Sequence, residues 1–494
     1  MKPFFYLLTA LLCINSGLVF GQTDKELAAS LITKEKIEAH IYFLASDELK
    51  GRATGSNEKE IAAQYLANTL HSYGVKKVPG ADGYFQNIPL TKTKAPSNRT
   101  IIINGEAADF APAPLQGDNI NYDGPAVFLN YGMEEDYEGQ DVKGKLVFVK
   151  AGSETVKTPQ EMFQLIEKKS ELAQKNGAKA VVELAAINPM IWNFIDRAYA
   201  EDRIGAKETE GSEDEELHYL WLLDPENKIA GSLATKRSNF AAVNIAGIEE
   251  ETIYTRNVVA MLEGTDPKLK EEFIIYSGHY DHMGIGQPDA TGDSIYNGAR
   301  DNVVGVTTVL SMAENLAKHP TKRSALFILF AAEEIGLVGS KYYVDNPLLP
   351  LDKMVYCFNS DNAGYNDTSK VTIIGLSRTT AGEDLKVAVS AFGLEAIDDP
   401  APEQNLFDRS DNVHFAAAGI PSPTFSMGFT SFSGKLTETY HQPSDNPDTI
   451  DYDYLVDFFK SYVLAGRLIA NNPKTPFWVS GDKYEEAGKE LYKK

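Results

Sequence analysis

A chain of 494 residues that is 43% hydrophobic is long enough for two or more domains and a sizeable core. Its formal net charge of -23 excludes the basic footprint of a nucleic-acid binder and would set the chain against an anionic membrane surface. Acidity of this size serves solubility, and it suits a site rich in metal-binding carboxylates.

At the start, one lysine precedes an apolar stretch from Phe4 to Phe20, interrupted by Asn15, Ser16 and Gly17. Residues 1–21 read as a signal peptide cleaved after Gly21, with an uncleaved membrane anchor as the competing reading. Cys13 would suit a lipoprotein, but Leu12 precedes it and apolar residues continue beyond. The expectation is a secreted or periplasmic protein with no stable membrane span after cleavage. Cys357 is then the only cysteine. With no internal disulfide available, the exported chain must rely on its core or on bound metal.

Residues 24–75 predict two amphipathic helices, IEAHIYFLASDEL and IAAQYLANTLHSYG. The Gly-rich connection KGRATGSNEKE joins them, with Ser56 and Asn57 as candidate caps. YFQNIPL reads as a strand. From about 96 to 253 the texture changes: short apolar strands (AVFLNYG, KLVFVKAG, AKAVVELA) surround a helical pattern, EMFQLIEKKSELAQKNG, and acidic loops such as GSEDEELHY follow. No titratable cluster with ligand spacing stands out there, so it reads as an accessory module.

Beyond residue 254 strands alternate with helices. FIIYSG, ALFILFA, MVYCFN and PTFSMGF are strand-like; VVGVTTVLSMAENLAKH and LVGSKYYVDN are helical. This alternation predicts an α/β fold with a mostly parallel central sheet sandwiched by helices. Residues 476–494 form a C-terminal tail, whose lysine-rich end, EEAGKELYKK, reads as a solvated helix.

The chemistry-bearing residues gather at predicted strand ends. GHYDHMG follows FIIYS and carries His279 and Asp281, two apart and therefore on one side of an extended segment. Glu333 and Glu334 follow ALFILFAA. Asp361 follows MVYCFNS. In open α/β sheets the carboxyl ends of strands are where ligands bind. GARDN, with Asp301, and YHQPSD, with Tyr440 and His441, lie in loops.

Histidine and carboxylate donors without thiolate suit zinc or a similar divalent ion, cobalt and manganese included. Five candidate ligands exceed what one catalytic ion takes from protein, and they suffice for two ions about 3.5–4 Å apart if one carboxylate bridges them. One of the adjacent glutamates is then left over as a general base. Each signal has an ordinary alternative. A lone His is more often core or surface, a Glu-Glu pair is usually a solvated helix start, and an Asp-Asn pair is usually a turn. It is their joint placement at strand ends that favours a metal hydrolase.

These motifs resemble the exported di-zinc aminopeptidases that carry a protease-associated insert, within a clan that also holds glutamate carboxypeptidase-like enzymes and glutaminyl cyclases. The resemblance runs from FLASDELKGRATGS and YFQNIPL, through NVVAMLEGTDPKLKEEFIIYSGHYDHMG, GARDN, AAEEIGLVGS and NSDNAG, to DRSDNVHFAAAGIPSPTF and YHQPSD. YEGQDVKGKLVFV and AQKNGAKAVVELA resemble the protease-associated domain.

The resemblance implies a zinc-peptidase/phosphorylase-like catalytic domain made of residues 22–95 and 254–475, interrupted by an inserted protease-associated β/α domain at 96–253. It implies two Zn2+ per chain. His279 and Asp361 would complete one zinc site, Glu334 and His441 the other, and Asp301 would bridge them. Glu333 would be the general base acting on a zinc-bridged water or hydroxide, Asp281 would orient His279, and Tyr440 would hydrogen-bond the oxyanion. Arg409 would lie near a peptide substrate. The implied activity is removal of N-terminal residues from peptides. A carboxypeptidase or N-acyl amino acid hydrolase of the same fold is the alternative, with Arg300, Arg409 or residues of the insert as candidates for binding a substrate carboxylate; a silent binding module is the third.

Two departures stand out. Arg300 occupies a position where many relatives have an acid, and Asn412 stands where SDH is common. His282 and His414 read as structural, and Asp411 as a support beneath the ligands.

Overall fold

The computed structural model describes residues 22–207, 217–432 and 434–493. The expected signal peptide and most of the acidic GSEDEELHY loop lie outside these residues. The chain forms two compact units. One comprises the chain up to Gln86, Asn257–Glu333 and the chain from Gly339 on; the other comprises Asn87–Arg256, with which Glu334–Val338 is grouped.

The first unit opens with helices Asp24–Ala29, Lys34–Leu44 and Asn57–Ser72. Ser56 caps the third, its side chain accepting from the Lys59 N–H. The connection before it is not a free linker. Arg52 is fully buried and donates to the carbonyls of Leu44, Tyr280 (2.9 Å) and Asn297 (2.8 Å). Gly51, at φ +67°, lies so close to the Tyr296 carbonyl that a Cβ would sit 2.4 Å from it. Glycine is therefore required there.

The sheet of this unit runs in the order Glu395–Ile397, Lys370–Ile374, Thr424–Met427, Met354–Ser360, Phe273–His279, Ser324–Phe330, then the last part of Glu250–Leu262. Four of these pairings are parallel and two antiparallel. Every residue of Ser324–Phe330 and of Met354–Ser360 is buried, as unbroken apolar runs demand when helices cover both sheet faces. Gly305–Lys318 and the 20-residue Tyr452–Asn471 pack on this sheet. Tyr462, from the long helix, stacks on Phe358 at 4.5 Å between ring centroids.

Register decides where the strands end. His279 pairs with Phe330, and Ser277 with Asn359. Three neighbouring strands therefore finish nearly level, and the segments after them leave the sheet at the same end.

The tail is not solvated. Helix Glu485–Leu491 brings Gly488 against Gly419 so closely that a Cβ there would lie 2.9 Å from the Gly419 carbonyl. Tyr492 donates to the Met354 carbonyl at 2.6 Å. The apolar Leu491 and Tyr492 outweigh the surrounding lysines in deciding that this segment docks.

The second unit has its own eight-stranded mixed sheet and two apolar clusters. Its centre is the parallel set Ile120–Phe128, Leu146–Lys150, Ala180–Ala185 and His218–Leu223. The single helical pattern expected between the second and third of these is two helices, Pro159–Gln164 and Ile166–Lys175.

Candidate metal centre

Phe273–His279 ends on His279, which is 2% exposed. The ring Nδ1 lies 3.2 Å from the main-chain oxygen of Asp281. A carbonyl can only accept, so Nδ1 carries hydrogen and Nε2 faces the acids. Nε2 sits 3.3 Å from Asp301 Oδ1 and 3.3 Å from Asp361 Oδ1. The orienting contact expected from Asp281 thus includes its backbone. Its carboxylate, fully buried, accepts from Thr54 Oγ1 (3.0 Å) and from the Glu333 N–H (3.2 Å).

Asp301 belongs to the segment Ala299–Val304, inside which Asp301 and Asn302 depart from helical dihedrals. Its two oxygens face different histidines: Oδ1 faces His279, and Oδ2 lies 3.1 Å from His441 Nε2. Burial favours the neutral acid, but hydrogen bonds from His279 and His441 and the nearness of His282 hold its carboxyl well below the usual range. Burial likewise opposes charge on His279, yet Glu333, Asp361 and Asp301 together raise its proton affinity well above that of a free imidazole.

Glu333 and Glu334 are half-buried. Among the described residues, donor atoms fall into three overlapping groups whose members lie within 4.8 Å of one another: His279, Asp301 and Asp361; His279, Glu333 and Glu334; and His282, Asp301 and Glu334. The third group corrects the sequence reading. Strand alternation places His282 on the opposite face from His279, but the strand stops at His279 and alternation ends with it. His282 is 1% exposed, and its ring lies 5.6 Å from that of His441. Its motif partner Asp281 is the only sequence signal that could have flagged it.

His441 takes a left-handed backbone, φ +55°, and Tyr440 stacks on it at 4.0 Å. Phe432 meets Tyr440 edge-on at 5.4 Å, and the Arg409 guanidinium lies 5.9 Å from the Phe432 ring. Arg409 is therefore linked to the site through two aromatic rings. Arg300 is 6% exposed. Its guanidinium is engaged by Asp445 (2.8 Å) and by the hydroxyl and carbonyl of Thr449 (2.9 and 2.7 Å).

Asp411 is 1% exposed. Burial pushes its carboxyl up to about 7; His279 opposes the shift, while Asp361 and Asp281 add to it. It lies within electrostatic reach of His279, Asp361 and Asp281. Asn412 donates to the Phe407 and Ser422 carbonyls at 3.0 and 3.1 Å, so an amide here is a loop tie. His414 lies among Lys341 and Asp345.

Three histidines, two aspartates and a Glu pair, with no thiolate, form a donor set suited to zinc. A cluster of acids that draws protons this strongly onto its imidazole would be neutralised by a divalent cation. Imidazoles and carboxylates gathered where parallel strands end define a metallohydrolase-type centre on an α/β sheet.

Comparison with known proteins agrees. Residues 257–464 match the sequence profile of Peptidase family M28. Aminopeptidase YwaD of Bacillus subtilis (strain 168) is 26% identical over 381 residues, covering 75% of this chain and 71% of that protein. A probable leucine aminopeptidase 2 of Aspergillus oryzae is 24% identical, over 70% of this chain and 67% of its own length. Among solved structures, the aminopeptidase from Aneurinibacillus sp. strain AM-1 superposes with a TM-score of 0.61 at 23% identity, covering 91% of this chain and 97% of that one. BSAP, a zinc aminopeptidase from Bacillus subtilis, superposes with a TM-score of 0.53 at 19% identity, over 90% and 97%. These two structures establish the shared α/β architecture.

Proposed function

We propose that this chain is an exported, zinc-dependent exopeptidase that removes N-terminal residues from peptides. The observation that carries the reading is Asp301, a buried and ionised carboxylate whose opposite oxygens face His279 and His441. The family match supports the reaction class, and the aminopeptidase relatives support the end of the substrate attacked.

In this reading His279 and Asp361 would hold one zinc, Glu334 and His441 a second, and Asp301 would serve both. Zinc bound there supplies Lewis acidity toward the scissile carbonyl and makes water a usable nucleophile near neutral pH. Glu333 takes the proton from the attacking water and returns it to the departing amine. Asp281 holds the Glu333 backbone in place for this proton transfer. The Tyr440 hydroxyl donates to the oxyanion as it forms. Arg409 and Phe432 border the site on the Tyr440 side, where a substrate side chain would lie.

The carboxypeptidase alternative loses one of its two arginines, because Arg300 is buried and engaged by Asp445 and Thr449. Export rests on the amino-terminal signal pattern. The inserted unit, spanning 96–253 in sequence terms, is an accessory domain in this reading.

The test couples metal content to cleavage. Zinc is counted per chain, and one peptide is offered free at both ends, N-acetylated and C-amidated. Two zincs, with cleavage only where the amino terminus is free, is the expected result. Cleavage of the acetylated but not the amidated peptide would move the assignment to a carboxypeptidase. No zinc and no cleavage of any form would leave a binding module.

A further inference from the structure

The loop that carries His441 and the loop that carries Asp301 are joined by one buried ion pair. Asp445, four residues beyond His441, is 1% exposed, and Arg300, next to Asp301, is 6% exposed. Asp445 Oδ2 accepts the main-chain N–H of Arg300 at 2.9 Å and that of Asp301 at 3.2 Å. Asp445 Oδ1 accepts Arg300 Nη1 at 2.8 Å. The Asp445 carbonyl accepts the Ala299 N–H at 3.1 Å. Arg300 also spans to Thr449 Oγ1 and O at 2.9 and 2.7 Å, and its guanidinium lies 5.4 Å from the Tyr365 ring.

We propose that the Arg300–Asp445 pair is a positioning clamp that holds Asp301 and His441 at the separation metal binding needs. The inference rests on the zinc reading above and extends it to residues that touch no metal. Neither candidate ligand sits in regular structure. Asp301 has φ -107° and ψ 95° inside a broken helical segment, and His441 has φ +55°. For Asp301, the Asp445 carboxylate takes the main-chain hydrogen bond that a helix or sheet ladder would otherwise take.

The charge of Arg300 is what permits this. A buried carboxylate that accepts three donors still needs a cation close by to remain ionised. An acidic residue at position 300 would instead set two buried carboxylates against each other. The guanidinium is also the side chain best suited here, because its planar fork reaches Asp445 and Thr449 at once, which a lysine ammonium cannot do.

The experiment measures zinc affinity by competition with a chromophoric chelator. It uses the full-length protein as wild type, Arg300→Ala, Arg300→Lys and Asp445→Asn, each checked for folding by circular dichroism. Supporting residues behind metal ligands typically contribute about 10–100-fold in affinity. The clamp predicts a loss in that range for Arg300→Ala and Asp445→Asn, and a smaller loss, at least about threefold, for Arg300→Lys on the same grounds. If Arg300→Ala fails to fold, Arg300→Lys decides. Folded variants that bind zinc within about twofold of wild type overturn the clamp even if their melting temperatures fall, since a merely structural pair would lower stability and leave metal affinity alone. Wild-type protein that takes up no zinc would overturn the metal reading itself, which is a different result from a variant-to-wild-type ratio near one.

Discussion

The carboxylate of Asp281 reaches from the end of one strand to the segment after its neighbour: Oδ1 accepts the Glu333 main-chain N–H at 3.2 Å. The same side chain takes a hydrogen bond from Thr54 at 3.0 Å, and its backbone oxygen holds the His279 ring. One residue thus ties the amino-terminal segment, a candidate ligand and the candidate base together. Asp281→Ala should retain measurable zinc and lose about 10–100-fold in kcat, the usual scale for a support of this kind. Peptide turnover measured alongside metal content checks it; unchanged kcat would reduce Asp281 to packing.

Glu333 and Glu334 are neighbours with different expected roles. Glu333→Ala should keep the wild-type zinc content and lose about 10^2–10^4-fold in kcat, the range of a general base. Glu334→Ala should lose metal as well, and added zinc should restore part of its activity. Elemental analysis of both dialysed variants, followed by zinc add-back, separates the two roles. Near wild-type turnover in Glu333→Ala would refute the base assignment. Chelation of the wild-type enzyme should abolish activity, with recovery on zinc addition.

His40 gives the fold a pH dependence that has nothing to do with the metal centre. Its nitrogens lie 2.8 Å from the Tyr65 hydroxyl and 3.0 Å from the Tyr73 hydroxyl. Burial lowers its pKa to about 4, with Glu314 opposing the shift and Lys36 adding to it. The unfolded chain therefore binds a proton here at higher pH than the folded one. Stability is full above the unfolded value and falls as pH drops from about 6.5 toward 4, by an amount on the order of 3 kcal/mol. Urea midpoints across that window should fall for wild type, and the slope should flatten in His40→Gln.

In the second unit, Lys169 and Glu183 are almost wholly shielded from solvent, 1% and 0% exposed, and are hydrogen-bonded to each other. Glu183 also accepts the Trp221 indole N–H, and Lys169 donates to the Lys150 carbonyl at 2.9 Å. Removing one partner leaves a buried charge. Glu183→Leu alone should cost about 3–5 kcal/mol, whereas Lys169→Met with Glu183→Leu should cost much less. Chemical unfolding of the single and double variants checks this. Equal losses in both would show that the pair is worth more than its isolated charges.

The strands and the helix-covered sheet were legible because continuous apolar runs such as SALFILF carry their burial in their composition. Candidate ligands were legible because catalytic acids in such sheets cluster just after the strands. Less legible were the supports. KGRATGS reads as a polar connection, yet it contains Arg52, which is buried because the nearby Leu44 carbonyl and the distant Tyr280 and Asn297 carbonyls converge on it. Alternation assigns His282 to the wrong side because no local pattern marks where a strand stops. Arg300 reads as available for substrate; its partner lies 145 residues further along.

The sequence by itself determined the class of fold, the donor types and their order, since hydrophobic periodicity and residue chemistry are local properties. Only the tertiary structure decided which arginine is engaged by a buried acid and which further histidine joins the cluster. Those outcomes depend on strand register and on pairings between residues far apart in the chain, where burial makes each buried charge or donor find its partner.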